Sequence, residues 1–155
     1  MSLMPITCPK CGIEVESNLK LCDNCDLDLK KIAMLIQEGD SFLKNEKYQD
    51  AISCYEKAIK LGKKNAPAWC GKGNALFNQG KNSEDVKLCV KCHLCPVLSE
   101  AFYEDAIKCY DKAISIDPQL KEAWYGKGVT LDKLGKSIDA KECFEKARKL
   151  GYLDK

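Results

Sequence analysis

The chain has 155 residues, 45% of them apolar and 31% charged, a composition ordinary for about one soluble helical domain. Its 25 basic side chains against 23 acidic ones leave a formal charge of +2, so no general field draws in nucleic acid or an anionic lipid surface. No apolar run approaches the roughly 18 residues that span a bilayer, and no basic segment followed by a hydrophobic stretch opens the chain, so no membrane partner and a reducing, cytoplasmic setting are expected.

Met1 to Leu3 precede a second start-like methionine, Met4, and are set aside as foreign to the protein. Residues 5–29 then carry two Cys-x-x-Cys pairs, Cys8 with Cys11 and Cys22 with Cys25, separated by ten residues with weak polar alternation. In a reducing compartment such pairs argue for metal or redox chemistry rather than disulfides. The segment resembles a short zinc ribbon. Four thiolates in two tight turns suit tetrahedral zinc and close the site to catalysis, and Gly12 relieves the backbone behind the first pair. A redox dithiol pair and a rubredoxin-type iron site are the competing readings, and zinc is favoured. So few large apolar side chains cannot fold a 25-residue segment alone, which makes metal a substitute for a core. Acidic residues outnumber lysines here, and a tetrathiolate centre adds about two more negative charges, so nucleic acid is disfavoured and a structural cap or protein-binding knob is expected.

From residue 31 onward one phrase is written three times: YQDAISCYEKAI at 48–59, YEDAIKCYDKAI at 103–114 and SIDAKECFEKAR at 137–148. In each copy an alanine, an aromatic and a second alanine share one helical face: Ala51, Tyr55 and Ala58; Ala106, Tyr110 and Ala113; Ala140, Phe144 and Ala147. The small residues admit a neighbouring helix and the ring fills the space between. A second phrase lies upstream of each, with Leu35 and Gly39, then Trp69 and Gly73, then Trp124 and Gly128, so every unit is a helix pair. Cys54, Cys109 and Cys143 each precede the aromatic, which marks them as packing residues copied with the repeat.

The 34-residue period from Leu35 to Trp69 and from Ala106 to Ala140, with these Trp, Gly, Ala, aromatic and Pro positions, resembles the tetratricopeptide repeat. The resemblance implies an all-α fold: three helix-turn-helix repeats forming an α-solenoid over 31–153, preceded by the small β zinc ribbon of 5–29. It also implies a non-enzymatic scaffold whose first helices line a concave groove for a protein or peptide. By position, that groove is lined by Ile36, Asp40 and Lys44, then Cys70, Asn74, Phe77 and Asn78, then Tyr125, Val129, Asp132 and Lys133. Some members of the family clamp a peptide's terminal carboxylate with Lys and Asn in the first repeat and basic residues in the third. Those slots here hold Ile36, Asp40, Glu122 and Gly126, which argues against such a clamp.

Between Trp69 and Trp124 the distance is 55 residues, so the second repeat carries 21 extra, at about 82–102, including CVKCHLC. Ser83 is expected to cap a helix from Glu84 to Leu94 that Pro96 ends before Ser99 caps the next. On such a helix Cys89, Cys92 and His93 share a face, with Cys95 close by, as candidate ligands of a second metal. Unmetallated thiols and iron or redox chemistry are the alternatives, and the latter would make the protein a metal- or redox-responsive regulator. The chain stops soon after the third pair, so the last helix is expected to act as its own cap or to self-associate.

Overall fold

The computed structural model describes residues 6–15, 21–22, 25, 27–85 and 94–152. Two short strands, β1 (Ile6–Thr7) and β2 (Glu14–Val15), pair antiparallel with Ile6 opposite Val15. Six helices follow among the described residues: α1 (Leu29–Lys44), α2 (Tyr48–Leu61), α3 (Ala66–Asp85), α4 (Leu94–Ile116), α5 (Lys121–Lys133) and α6 (Ser137–Lys149). Each packs on the next, and α3 also adjoins both α1 and α5, so the first helices of the three pairs form one layer.

Local chemistry starts these helices. The Asp28 carboxylate accepts the Lys31 amide at 2.8 Å to open α1, and the Asn65 side chain accepts the Ala68 amide at 2.9 Å to open α3. Both tryptophans tie their helix to the preceding turn in the same way: Trp69 Nε1 donates to the Lys63 carbonyl and Trp124 Nε1 to the Pro118 carbonyl, each at 3.0 Å.

The rings of the thrice-written phrase set the distance between layers. Tyr55 lies against Gly39 of its own pair and Gly71 of the next, Tyr110 against Gly73 and Gly126, and Phe144 against Gly128. Tyr55 and Tyr110 are fully buried, and the alanines flanking them, Ala51, Ala58, Ala106 and Ala113, show no exposed surface. Cys54, Cys109 and Cys143 are buried beside these rings, in keeping with packing roles. Burial raises all three thiols above their ordinary range, Cys109 to about 11, so they stay protonated and unreactive at neutral pH.

The turns inside the first and third pairs share one geometry with different residues. Gly135 takes φ +73° and sends its amide to the Asp132 carbonyl, while Lys136 bonds Leu131; at the same point of the first pair Glu46 takes φ 59° and its amide bonds Leu43, while Lys47 bonds Phe42. A left-handed conformation suits glycine and strains glutamate. Glu46→Gly is therefore expected to raise stability by about 0.5–1 kcal/mol, read as a higher midpoint in urea with unchanged slope.

The second pair departs from the expected layout. Ser83 lies inside α3 rather than at a helix start, its hydroxyl donating to the Gln79 carbonyl at 2.9 Å. Pro96 and Ser99 lie inside α4, Pro96 in the first turn, where a missing amide hydrogen costs no helical bond, and Ser99 buried. Of the extra residues, 82–85 thus lengthen α3 past Gly80 and 94–102 start α4 earlier, and the two helices pack along each other. A Cβ on Gly80 would stand 2.9 Å from the Tyr103 ring and 3.2 Å from the Ser99 carbonyl, so this glycine marks close helix approach rather than a helix end.

Candidate functional site

The two cysteine pairs lie in two loops built alike. In the first, the Cys8 amide donates to the Ile13 carbonyl at 2.7 Å and the β1–β2 pairing closes the loop; in the second, Cys22 donates to Leu27 at 3.0 Å and a bridge between Leu21 and Asp28 closes it. Gly12, at φ +83°, supplies the left-handed residue of the first loop. Among the described residues, the β-structure of this segment is two two-residue strands and a single bridge, and a zinc ribbon is not shown by it.

The loops bring the four sulfurs together. Cys8 Sγ stands 3.6 Å from Cys25 Sγ, Cys11 Sγ stands 3.6 Å from Cys22 Sγ, and all four lie within 4.8 Å of one another. A disulfide needs about 2.05 Å, so sulfurs at 3.6 Å are not joined by one. Four sulfurs at about 2.3 Å from a shared zinc would stand about 3.8 Å apart, so the donor set fits a tetrahedral ion in size and chemistry. Cys8 and Cys22 are wholly buried, Cys11 and Cys25 partly so. Burial pushes the Cys25 thiol up to about 12, with hydrogen bonds from Cys22, Cys8 and Cys11 adding to the rise, so the group stays a thiol until a cation takes the charge.

The residues expected in the groove divide into three kinds. Asp40 and Asn74 are held from below: Tyr55 donates its hydroxyl to Asp40 Oδ1 at 2.6 Å, and Tyr110 donates to Asn74 Oδ1 at 2.8 Å. Asn78 Nδ2 in turn donates to the Asn74 carbonyl at 2.8 Å. Lys44, Asp132 and Lys133 are exposed, while Ile36, Phe77 and Val129 are half-buried, Phe77 with its ring centroid 5.5 Å from that of Tyr103.

The two remaining residues have surroundings that position alone does not indicate. Cys70 is only 5% exposed and belongs to the central core, so it is not a groove side chain; burial, with Glu122 and Asp40 adding, raises its thiol to about 12. Tyr125 is stacked against Tyr152, with centroids 4.2 Å apart and planes 19° apart. Tyr152 is brought there by a left-handed turn at Gly151, and its amide donates to the Ala147 carbonyl at 3.0 Å. It therefore covers the Tyr125 ring of α5.

Sequence reasoning missed the tyrosine hydroxyls, although the signal was present. Where the groove position is Asp40 or Asn74 the buried ring is a tyrosine; where it is Val129 the ring is Phe144. It also missed two furrows outside the groove, of about 660 Å³ and 430 Å³, the first lined by Ile107, Leu131 and Cys143, the second by Ile52, Leu76 and Cys109. Each contains a lysine of an ion pair, Lys127 with Asp111 at 2.6 Å and Lys72 with Glu56 at 2.8 Å. Cys89, Cys92 and His93 of the candidate second metal set lie outside the described residues, and Cys95 falls in the first turn of α4.

The sequence matches the family model "TPR repeat" over residues 39–80 and 103–135, and "Tetratricopeptide repeat" over 121–150. The chain belongs to the tetratricopeptide repeat family. The match leaves out 81–102, a stretch that includes the end of α3 and the start of α4. Among curated relatives, protein bimA of Emericella nidulans is 31% identical over 97 residues, covering 54% of this chain and 12% of its own length. The human small glutamine-rich tetratricopeptide repeat-containing protein beta is 32% identical over 71 residues, covering 46% of this chain and 23% of its own. This tetratricopeptide repeat chain thus spans under a quarter of either relative. Among solved structures, the second TPR of Spaghetti (RPAP3) bound to the HSP90 peptide SRMEEVD is 26% identical, with a TM-score of 0.59 over 78% of this chain and 93% of that one. The first TPR domain of human RPAP3 shares the fold at 20% identity, with a TM-score of 0.63 over 78% of this chain and 79% of that one.

Proposed function

We propose that this protein is a non-enzymatic, cytoplasmic adaptor in which the face of α1, α3 and α5 holds an extended peptide or protein segment, and the module of 5–29 is a structural zinc site. The observation that carries the adaptor reading is the row of oriented polar groups across adjacent first helices, Asp40 and Asn74, each pinned by a buried tyrosine. Half-buried Ile36, Phe77 and Val129 between them supply apolar contact, the mixture by which a groove fixes an extended chain. A similar domain bound to the peptide SRMEEVD supports a peptide as the kind of ligand.

The ligand should differ from that peptide in one respect. Asp40 and Glu122 stand where a carboxylate-binding member carries neutral or basic side chains, so an anionic chain end meets like charge. SRMEEVD with a free carboxylate is expected to bind no more tightly than its C-terminal amide in fluorescence anisotropy. A preference of tenfold or more for the acid, about 1.4 kcal/mol, would overturn this. For the groove itself, peptides selected on the immobilised protein should lose at least about tenfold in affinity with Asn74→Ala plus Phe77→Ala and keep it with Lys72→Ala on the other side. Equal loss in both variants would sink the groove assignment.

For the metal, native mass spectrometry is expected to find one zinc per chain, absent in Cys22→Ser plus Cys25→Ser and unchanged in Cys54→Ser. Zinc retained in the double variant would overturn the site.

A further inference from the structure

The four-cysteine module is joined to the first helix pair at three points. Asp28 serves both: its backbone bridges Leu21 to close the second cysteine loop, and its carboxylate caps α1. Pro9, in the first cysteine loop, accepts a hydrogen bond from the Lys64 amide at 2.7 Å in the turn after α2. A Cβ added at Gly62 would stand 2.8 Å from Pro9 Cγ and 3.0 Å from Ile32 Cδ1, so module and helix pair meet there without a gap. Between these points one apolar cluster contains Cys8, Cys22, Val15 and Leu27 of the module together with Ile32, Ala58 and Ala68 of the helices. Ile36 packs against this cluster and against the central core alike, and it lies one turn before Asp40 on the groove face.

We propose that the module is the N-terminal cap of the helical stack, so that metal occupancy of its four thiols governs the order of α1 and α2 and, through Ile36, of the near end of the peptide groove. The inference rests on the zinc reading above and goes beyond it. A stack of helix pairs leaves an apolar face open at each end, and a repeat that contacts a neighbour on one side only is the first to open. Here the covering surface has too small a core to persist alone, so its folding depends on the ion, and the cover is present only when the ion is. Because coupling is reciprocal, packing of α1 and α2 also raises the module's affinity for the metal.

Hydrogen exchange on the full chain tests this, with zinc content measured in each sample. Removing zinc with a chelator under reducing conditions is expected to speed exchange over 29–61 by at least about tenfold while 121–149 stays within about twofold, and restoring zinc should reverse it. Gly62→Val, which leaves the cysteines intact and pries Pro9 from the helices, should uncouple the two: zinc still binds, and the response of 29–61 to chelation falls to about twofold or less. Should that variant lose zinc instead, the reciprocal coupling is observed directly and the proposal stands. Zinc removed with exchange over 29–61 unchanged would overturn the cap and leave the zinc site intact. Equal acceleration in all six helices would also overturn it, since the ion would then act on global stability. No zinc in the native protein would fell both readings.

Discussion

Tyr110→Ala is expected to cost about 3–5 kcal/mol, enough to unfold much of a domain of ordinary stability. The ring is 1% exposed and fills the space between Gly73 of its own pair and Gly126 of the next, so its loss opens a cavity where two first helices and one second helix meet. Tyr110→Phe keeps the ring and removes the hydroxyl, with its hydrogen bond to Asn74 and its interaction with Thr130, for a cost of about 1 kcal/mol. The two variants separate packing from polarity: denaturant melts should show a large loss for alanine and a small one for phenylalanine. Near-equal losses would mean that the hydroxyl, not the ring, holds the layers.

Gly71→Ala is expected to destabilise by about 1–3 kcal/mol, although alanine is the better helix former by about 1 kcal/mol. A Cβ at this site overlaps three carbons of the Tyr55 ring, which is itself wholly buried and has nowhere to move. The comparison within the same protein is Gly135→Ala, where a Cβ meets nothing within 4 Å and only the positive φ opposes it. Gly71→Ala should therefore alter packing around Tyr55, seen in the aromatic shifts, whereas Gly135→Ala should leave them alone. A stabilised Gly71→Ala protein would show that the helices stand further apart than described.

The repeat frame was legible because its signals are local. An alanine-aromatic-alanine face recurs with helical spacing, and Trp69 and Trp124 reach the same turn carbonyls in their two units. The four cysteines of 5–29 were legible for a similar reason, since each Cys-x-x-Cys pair is held by its own tight loop. The second pair was not. Pro96 reads as a helix end and Ser99 as a cap in isolation, yet α4 contains both, because a first-turn proline breaks no bond. Cys70 and Tyr125 were assigned to the groove by position alone, and neither the burial of one nor the stacking of Tyr152 on the other follows from position.

By itself, the sequence determined three helix pairs, their period, the residues that interleave them and two cysteine pairs with the spacing of metal ligands. Only the tertiary structure decided that the pairs meet in one four-sulfur cluster and that this cluster shares a core with α1, α2 and the start of α3. It also decided that Tyr55 and Tyr110 hold the polar residues of the groove from beneath. The physical reason is one of range. Helical periodicity and ligand spacing are set by bonds between near neighbours in the chain. Burial and side-chain pairing depend on residues far apart in sequence, and only the folded chain brings them together.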